Sequence, residues 1–406
     1  MTIDEPANAG DASSPEQSAE RRVITAEPPS GSAAVASPEP AAPSAVAQEL
    51  PLGPLSPDDM RCPTCGRIRS EGIVCEEDGA LLVQAAAIVL RDRPELGPCP
   101  DCQADLSKRE ATGTCRKCGA DWTLPRRDRV EIEHGPDLAA VSDRCSAATH
   151  PVNQDAVWIW RGEARGQPYV VIGLGDGVSN AQRSQFASAL AVVHTGLGVV
   201  RALEAGRTDV SALLRDAILD ASLRVRKLPY DPDAVGAGGR RMSPPATTLV
   251  VAILRGDALD ELTFGCIGDS RGYAGGPEGL TQRTSDDSWL RKLMDEGKSE
   301  GEALADPRAH AITRWVGSSS DAPEVPPFEA SVTSFILPAG GSVLLCSDGV
   351  WGYLPHDEAL NEVVLPMLAE DASALAICRR LIDHAIEIDG GSDNASAVLF
   401  RRRTTT

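Results

Sequence analysis

One short pattern recurs at four places in the chain and limits the folds open to it. Val170 to Leu174 are apolar and β-capable, and they run into Asp176-Gly177 within VVIGLGDGVSN (170–180). The apolar run reads as a buried strand, and the Asp-Gly pair as the turn that ends it. FGCIGDSR (264–271) and VLLCSDGV (343–350) have the same form, and in GGSDNASAVLF (390–400) Asp393 precedes its strand. A single aspartate in such a place is most often a turn or cap residue. Four or five at the rims of buried strands point to a shared site.

The candidates are Asp155, Asp176, Asp269, Asp348 and Asp393. None is paired with a histidine or cysteine at ligand spacing. An all-oxygen donor set suits hard cations, so Mg2+ or Mn2+ is favoured over zinc. Two such ions roughly 4 Å apart can share one carboxylate and activate a water.

The 406 residues leave room for two or three domains. The net charge of −20 argues against nucleic acid as a partner, because phosphate backbones need a basic surface. A reaction on anionic phosphates would then rely on metal ions to bring substrate in. No stretch is read as approaching the roughly 20 apolar residues of a membrane span. The nearest candidate, Ala80 to Leu90, contains Gln84. The start, MTIDEPANAG, lacks the apolar core of a secretory signal, so a soluble, cytoplasmic protein is expected.

Residues 1–58 hold ten prolines and no aromatic residue, with nine acidic residues against Arg21 and Arg22. Such a segment buries too little apolar area to offset ordering entropy, so a disordered tail is expected. Residues 59–125 carry seven of the eleven cysteines. Cys99, Cys102, Cys115 and Cys118 form two C-x-x-C knuckles, which suits a tetrahedral zinc site. Cys62, Cys65 and Cys75 lack a fourth thiol; Asp78 stands where it would be, and a carboxylate is an acceptable ligand. The rival reading of this first group is a metal-free ribbon. Together the groups resemble a double zinc ribbon, with closed structural sites. The other four cysteines read as buried thiols.

Residues 126–137 read as a charged linker, and 138–403 as one large domain. Strands are expected at 138–142, 156–161, 169–174, 247–254, 261–267, 271–274, 331–337, 342–346 and 395–400. Helices are expected at 182–203, 210–226, 288–296, 357–368 and 372–388. The Gly/Pro-rich segment 230–245 reads as a surface loop. This order of elements suggests an α+β sandwich.

The motifs THPVNQDA (149–156), GDGVSNAQRSQFAS (175–188), TTLVVAIL (247–254), IGDSRGY (267–273), ITRWVG (312–317), LLCSDGVWGYL (344–354) and GGSDNASAVLF (390–400) resemble, in order, those of the metal-dependent 2C-class (PPM-type) serine/threonine protein phosphatases. The resemblance covers roughly 138–403. It implies an αββα architecture, a β-sandwich flanked by helix pairs with two Mn2+ or Mg2+ ions at one end. Asp176 would bridge both ions, with the Gly177 carbonyl beside it. Asp348 and Asp393 would complete the second site, with Asp155 near it and Asp269 at a weaker third. The implied reaction is attack on phosphorus by a water that the two metals activate, without a phosphoenzyme. The implied substrates are phosphorylated proteins, with a cognate serine/threonine kinase as counterpart, and a monomer is expected.

Three positions depart from the family pattern. His150 stands where an arginine usually grips phosphate, and reads either as a phosphate contact or proton donor or as a loop histidine. Ser179-Asn180 replaces a Gly-Gly pair, with one of the two expected to cap the next helix. Gly352 stands where some members have another aspartate. These departures motivate the alternative of a phosphatase-fold scaffold or sensor with weak or no activity. Arg271 is expected to be structural, held by the Asp-Ser turn, and Trp315 and Trp351 to pack at core or rim.

Overall fold

The computed structural model describes residues 60–61, 68–69, 83–84, 116–117, 129–145, 152–236, 239–317, 329–389 and 391–403. The tail 1–58, the seven clustered cysteines with Asp78, and His150 lie outside the described residues. At the N-terminal side, β1 (Met60–Arg61), β2 (Ile68–Arg69) and β3 (Val83–Gln84) form a small antiparallel sheet in the order β2-β1-β3.

The large domain begins with β4 (Val130–Glu133), β5 (Leu138–Asp143), β6 (Ala156–Ala164) and β7 (Gln167–Gly175). Helices α1 (Ser184–Glu204) and α2 (Val210–Val225) follow, then β8 (Ala246–Thr247), β9 (Leu249–Arg255), β10 (Glu261–Ile267), β11 (Arg271–Gly276) and β12 (Gly279–Gln282). After α3 (Trp289–Asp295), α4 (Glu300–Leu304) and β13 (Val316–Gly317) come β14 (Ser331–Ile336) and β15 (Ser342–Cys346). The chain continues through α5 (Asp348–Trp351), α6 (Asp357–Ala369) and α7 (Ala374–Asp389) to β16 (Ala395–Arg401).

Two antiparallel sheets result, one ordered β14-β10-β9-β7-β6 and the other β12-β11-β15-β16-β5-β4. Side chains alternate across each strand. In β7, Val170, Ile172 and Leu174 face the other sheet, among Val250, Val343, Leu345 and Val398. Tyr169 and Val171 face outward against α1 and α2. On the far side, Val141, Leu344 and Leu399 pack against α6 and α7. Strands covered on both faces read as continuous apolar runs, which explains the patterns from which they were recognised. The expected αββα sandwich is therefore the observed architecture.

Two expectations change. Residues 126–137 are not simply a linker, because β4 pairs with β5 and adds an edge strand. Its sequence VEIE looks solvated, yet Ile132 and Glu131 are both buried. Arg379 grips Glu131 through both carboxylate oxygens, and Arg129 adds a contact at 3.2 Å, so the charge is neutralised inside. The longest apolar segment is α1 rather than 80–90. It is long and apolar enough by composition to cross a membrane. Most of its residues are buried against the sheet and α2, which accounts for the composition. The four scattered cysteines are buried and free, as expected. Burial pushes the thiols of Cys145, Cys266 and Cys346 up to about 12, so they stay protonated.

Phe264 joins the two sheets: it is fully buried, meets Phe335 edge-on at 6.2 Å, and lies over Gly272 of β11, where a Cβ would stand 2.7 Å from its ring. Phe264→Ala should cost about 3–5 kcal/mol. The check is a lower urea midpoint with an unchanged slope.

Candidate active site

Strand register brings the aspartates to one end of the sandwich. Ala156 pairs with Gly175, so Asp155 and Asp176 leave neighbouring strands at the same edge. Leu174 pairs with Val250 and Ile267 with Leu249, which places the end of β10, and Asp269 beyond it, at that edge too. In the second sheet Cys346 pairs with both Arg271 and Ala397. Asp348 lies two residues after Cys346, Asp269 two before Arg271, and Asp393 two before Ala395.

Short hydroxyl side chains tie these ends together. The Asp176 N–H donates to Thr248 Oγ1 at 3.0 Å, while the Thr248 N–H and the Thr247 hydroxyl both donate to the Asp176 carbonyl at 2.8 Å. Thr248 Oγ1 also shares a 2.7 Å hydrogen bond with Ser270, next to Asp269. Across the other sheet, the Ser396 hydroxyl donates to Ser142 at 2.8 Å and the Ser396 N–H to the Ser347 hydroxyl at 3.0 Å. Asn394 Oδ1 accepts from the Gln154 N–H at 2.8 Å, linking the Asp393 turn to the segment that carries Asp155. Gly177 has no room for a side chain: a Cβ would stand 2.8 Å from both the Gln154 carbonyl and Ser184. The turn before Asp269 uses Gly268 at φ +98, a left-handed conformation that favours glycine.

Asp269 is held from behind. Trp351 Nε1 donates to its carbonyl at 2.9 Å, and the Arg271 guanidinium stacks on the Trp351 ring at 3.8 Å. Arg271 is structural, as expected, but its anchor is Asp286 rather than the Asp-Ser turn: Nε and Nη2 reach Asp286 at 2.8–3.2 Å, and Nη1 donates to the Pro355 carbonyl at 3.0 Å. Sequence proximity pointed to the wrong partner because the clamp reaches across the β11–β12 hairpin.

The carboxylates strain against one another. Burial, with the charges of Asp393 and Asp348 behind it, pushes the Asp155 carboxyl well above the usual range, against a pull from Ser396 and Ser347. Asp176 is pushed up likewise, by burial first and then by Asp155, Asp348 and Asp393. Asp269 is pushed up to about 8, by burial first and then by Asp348 and Asp286. Both carboxylate oxygens of Asp155 are buried without a well-formed hydrogen bond. An unpaired buried carboxylate is costly, and a bound cation is the usual remedy. Among the described residues no three ligating side chains close into a finished metal cage. The aspartates instead border an open space, which fits ions that keep several waters.

That space is a cavity of about 450 Å³ lined by Asp176, Gly177, Asp269, Asp348 and Asp393 among others. Asp155 is not among the lining residues, but its charge helps to push the Asp176 carboxyl up. The turn after Asp176 closes without the Gly-Gly pair: neither Ser179 nor Asn180 has a positive φ. Neither caps the next helix. Its cap is Arg183, itself left-handed at φ 54, and the helix starts at Ser184. The 230–245 loop fixes the turn, with the Ser243 N–H donating to the Asn180 carbonyl at 2.9 Å and Gln182 exchanging two hydrogen bonds with the Asp231 backbone. Sequence reasoning missed Ser243 and His310 at the cavity rim and the bridging roles of Thr247 and Thr248. The Thr-Thr pair inside a quoted motif was the signal available; nothing local marked His310.

A family model for protein phosphatase 2C matches residues 146–376, and the chain belongs to that family. The match takes in Asp155, Asp176, Asp269 and Asp348, and Asp393 lies past its end. The serine/threonine protein phosphatase PstP of Mycobacterium tuberculosis is 32% identical over 190 residues, covering 45% of this chain and 32% of that protein. The chain therefore spans about a third of the length of this relative. The serine/threonine phosphatase stp of Listeria monocytogenes is 25% identical over 244 residues, covering 59% of this chain and 86% of that protein. The crystal structure of the serine/threonine phosphatase Stp1 from Staphylococcus aureus matches with a TM-score of 0.50 at 19% identity, over 66% of this chain and 95% of that one, which bears on the fold alone.

Because Asp155, Asp176 and Asp269 titrate higher when folded, the folded protein retains protons that the unfolded chain releases above about pH 4. Stability without metal should therefore fall as pH rises from about 4, and Asp269, pushed up to about 8, contributes to that fall across the whole interval up to 8. After chelation Asp269→Asn should melt higher than wild type at pH 8, with the gap closing towards pH 4. Thermal melts across that range test this, and a gap independent of pH would contradict it.

Proposed function

We propose that the chain hydrolyses phosphoserine and phosphothreonine on proteins, using two Mn2+ or Mg2+ ions. The observation that carries this reading is the convergence of mutually repelling aspartates from both sheets on one open cavity. Membership of the phosphatase 2C family supports it. Asp176 and the Gly177 carbonyl would lie between the two ions, Asp348 and Asp393 would hold the second, Asp155 would reinforce that side, and Asp269 would serve a weaker third. Bound there, the ions supply positive charge to the phosphoryl oxygens and acidify a water.

The chain's own residues do the positioning. Thr247 and Thr248 fix the backbone of Asp176, so its carboxylate is aimed before any ligand arrives. The Ser347–Ser396 pair holds Asp348 and Asp393 in fixed relation. The Arg271–Trp351 stack keeps Asp269 from swinging away, and the cavity mouth leaves room for a phosphorylated side chain. Preorganisation of this kind spares the reorganisation that a mobile site would need. The scaffold reading loses support, because all five carboxylates are present and the turn after Asp176 closes without its glycines.

The cysteine region is proposed as a recruitment or regulatory module. Strands β1 and β2 pair on either side of the stretch that holds Cys62 and Cys65, the connectivity a zinc knuckle needs. Cys75 and Asp78 would complete that zinc site, and Cys99, Cys102, Cys115 and Cys118 a second. The counterpart kinase and the monomeric state remain part of this proposal.

Phosphopeptide turnover should require added Mn2+ or Mg2+, and Asp348→Asn should lower kcat/KM by about 100-fold or more. Phosphate release gives the rate, and calorimetric titration with Mn2+ gives ion binding. Undiminished turnover in Asp348→Asn would sink the assignment.

A further inference from the structure

The phosphatase reading leaves one proton unassigned. Cleaving phosphorus from a serine or threonine oxygen expels an alkoxide, a poor leaving group unless it takes up a proton as it departs. The aspartates at the cavity are committed to cations. Apart from them, His310 is the one described lining residue whose side chain is of a general-acid type.

His310 is exposed at the rim, and among the described residues its imidazole has no hydrogen-bond or ion-pair partner. Its backbone, by contrast, is fixed on both sides. The Leu290 N–H donates to the Ala309 carbonyl at 3.0 Å and the Trp289 N–H to the Ala311 carbonyl at 2.8 Å. The carbonyls flanking His310 thus satisfy the first donors of α3. Two residues on, the Thr313 N–H donates to the Asp287 carbonyl at 2.7 Å, and Asp287 Oδ2 accepts from the Gly268 N–H at 3.0 Å. The segment bearing His310 is therefore tied to the turn bearing Asp269. An imidazole without a partner among the described residues, on a fixed backbone that lines the same cavity, is arranged for work on a ligand.

We propose that His310 protonates the departing serine or threonine oxygen, a role that rests on the phosphatase reading. Water oxygen forms the new bond to phosphorus while the bond to the side-chain oxygen breaks. The electron pair of the broken bond stays on that oxygen, which takes the imidazolium proton and leaves as the alcohol. The surplus proton of the attacking water passes to solvent, and the neutral imidazole regains one from solvent. Nothing is oxidised or reduced.

The test uses the full chain with Mn2+, comparing wild type and His310→Gln on a phosphoserine peptide and on p-nitrophenyl phosphate. The nitrophenolate leaves without help, whereas the serine oxygen does not. The peptide kcat/KM should fall about 100-fold or more, and the loss on the aryl ester should be at least about tenfold smaller. In a readout separate from turnover, the imidazole resonance absent from His310→Gln should shift when inorganic phosphate is added to the Mg2+-loaded wild type. Equal losses on the two esters, no loss on either, or an unmoved resonance each overturn the proposal. If wild type hydrolyses neither ester, the phosphatase reading falls and takes this role with it. If wild type hydrolyses both and the variant matches it, the role of His310 alone is refuted.

Discussion

Repulsion among buried carboxylates is the constraint that the rest of the large domain answers. Asp155, Asp176 and Asp269 are each held above their ordinary titration range by burial and by one another's neighbours. On mobile loops such groups would separate and hydrate. Here each leaves a strand whose register is fixed along its length, so moving one aspartate would mean breaking a ladder. Hydroxyls of Thr247, Thr248, Ser347 and Ser396 fasten the strand ends where the ladders stop. A typical hydrogen bond contributes only about 1 kcal/mol net, whereas a buried unpaired charge costs several. The fastenings therefore fix positions without neutralising the site, and neutralisation is left to bound cations or protons.

The site has two tiers with different engineering. Its floor comes from strand ends and closes through short polar residues close in space. Its rim comes from longer excursions: the 230–245 loop, which holds the Asn180 carbonyl through Ser243, and the segment around α3 and α4, which carries His310. Rim segments can change without disturbing strand register. That is why the departures at Ser179-Asn180 are accommodated: a backbone hydrogen bond from a neighbouring loop does what glycine freedom would otherwise do.

The sandwich was legible because its strands are buried on both faces and its helices on one, so each leaves a strong apolar period. Glu261–Ile267 and Ser342–Cys346 match their sequence readings end to end. β4 was not legible, because Glu131 disguises a buried strand and the arginine that neutralises it lies 248 residues away. The aspartates were legible through their repeated place beside strands. Their supports were not: Arg271 meets Asp286 across a turn, and Asp155 depends on Asn394 from the other end of the domain. His310 was invisible for the same reason. Its neighbours in sequence are ordinary, and only the packing of α3 against residues 309–311 brings it to the cavity.

The net charge of −20 sharpens the electrostatic argument. An acidic surface repels phosphorylated proteins, and an aspartate cluster without cations repels them most strongly where they would have to bind. On the proposed two-ion reading, cations at the cluster would reverse the local sign, so cation and phosphate affinity would be coupled. The coupling is reciprocal: whatever factor the ions add to phosphate binding, phosphate adds to ion binding. On the proposed reading, an ion beside Asp269 would be held most firmly while a phosphate is in the cavity. The clamp of Asp286, Arg271 and Trp351 gains a physical purpose in this setting. It keeps Asp269 in place when no cation compensates its charge, so the position need not be rebuilt each time one arrives.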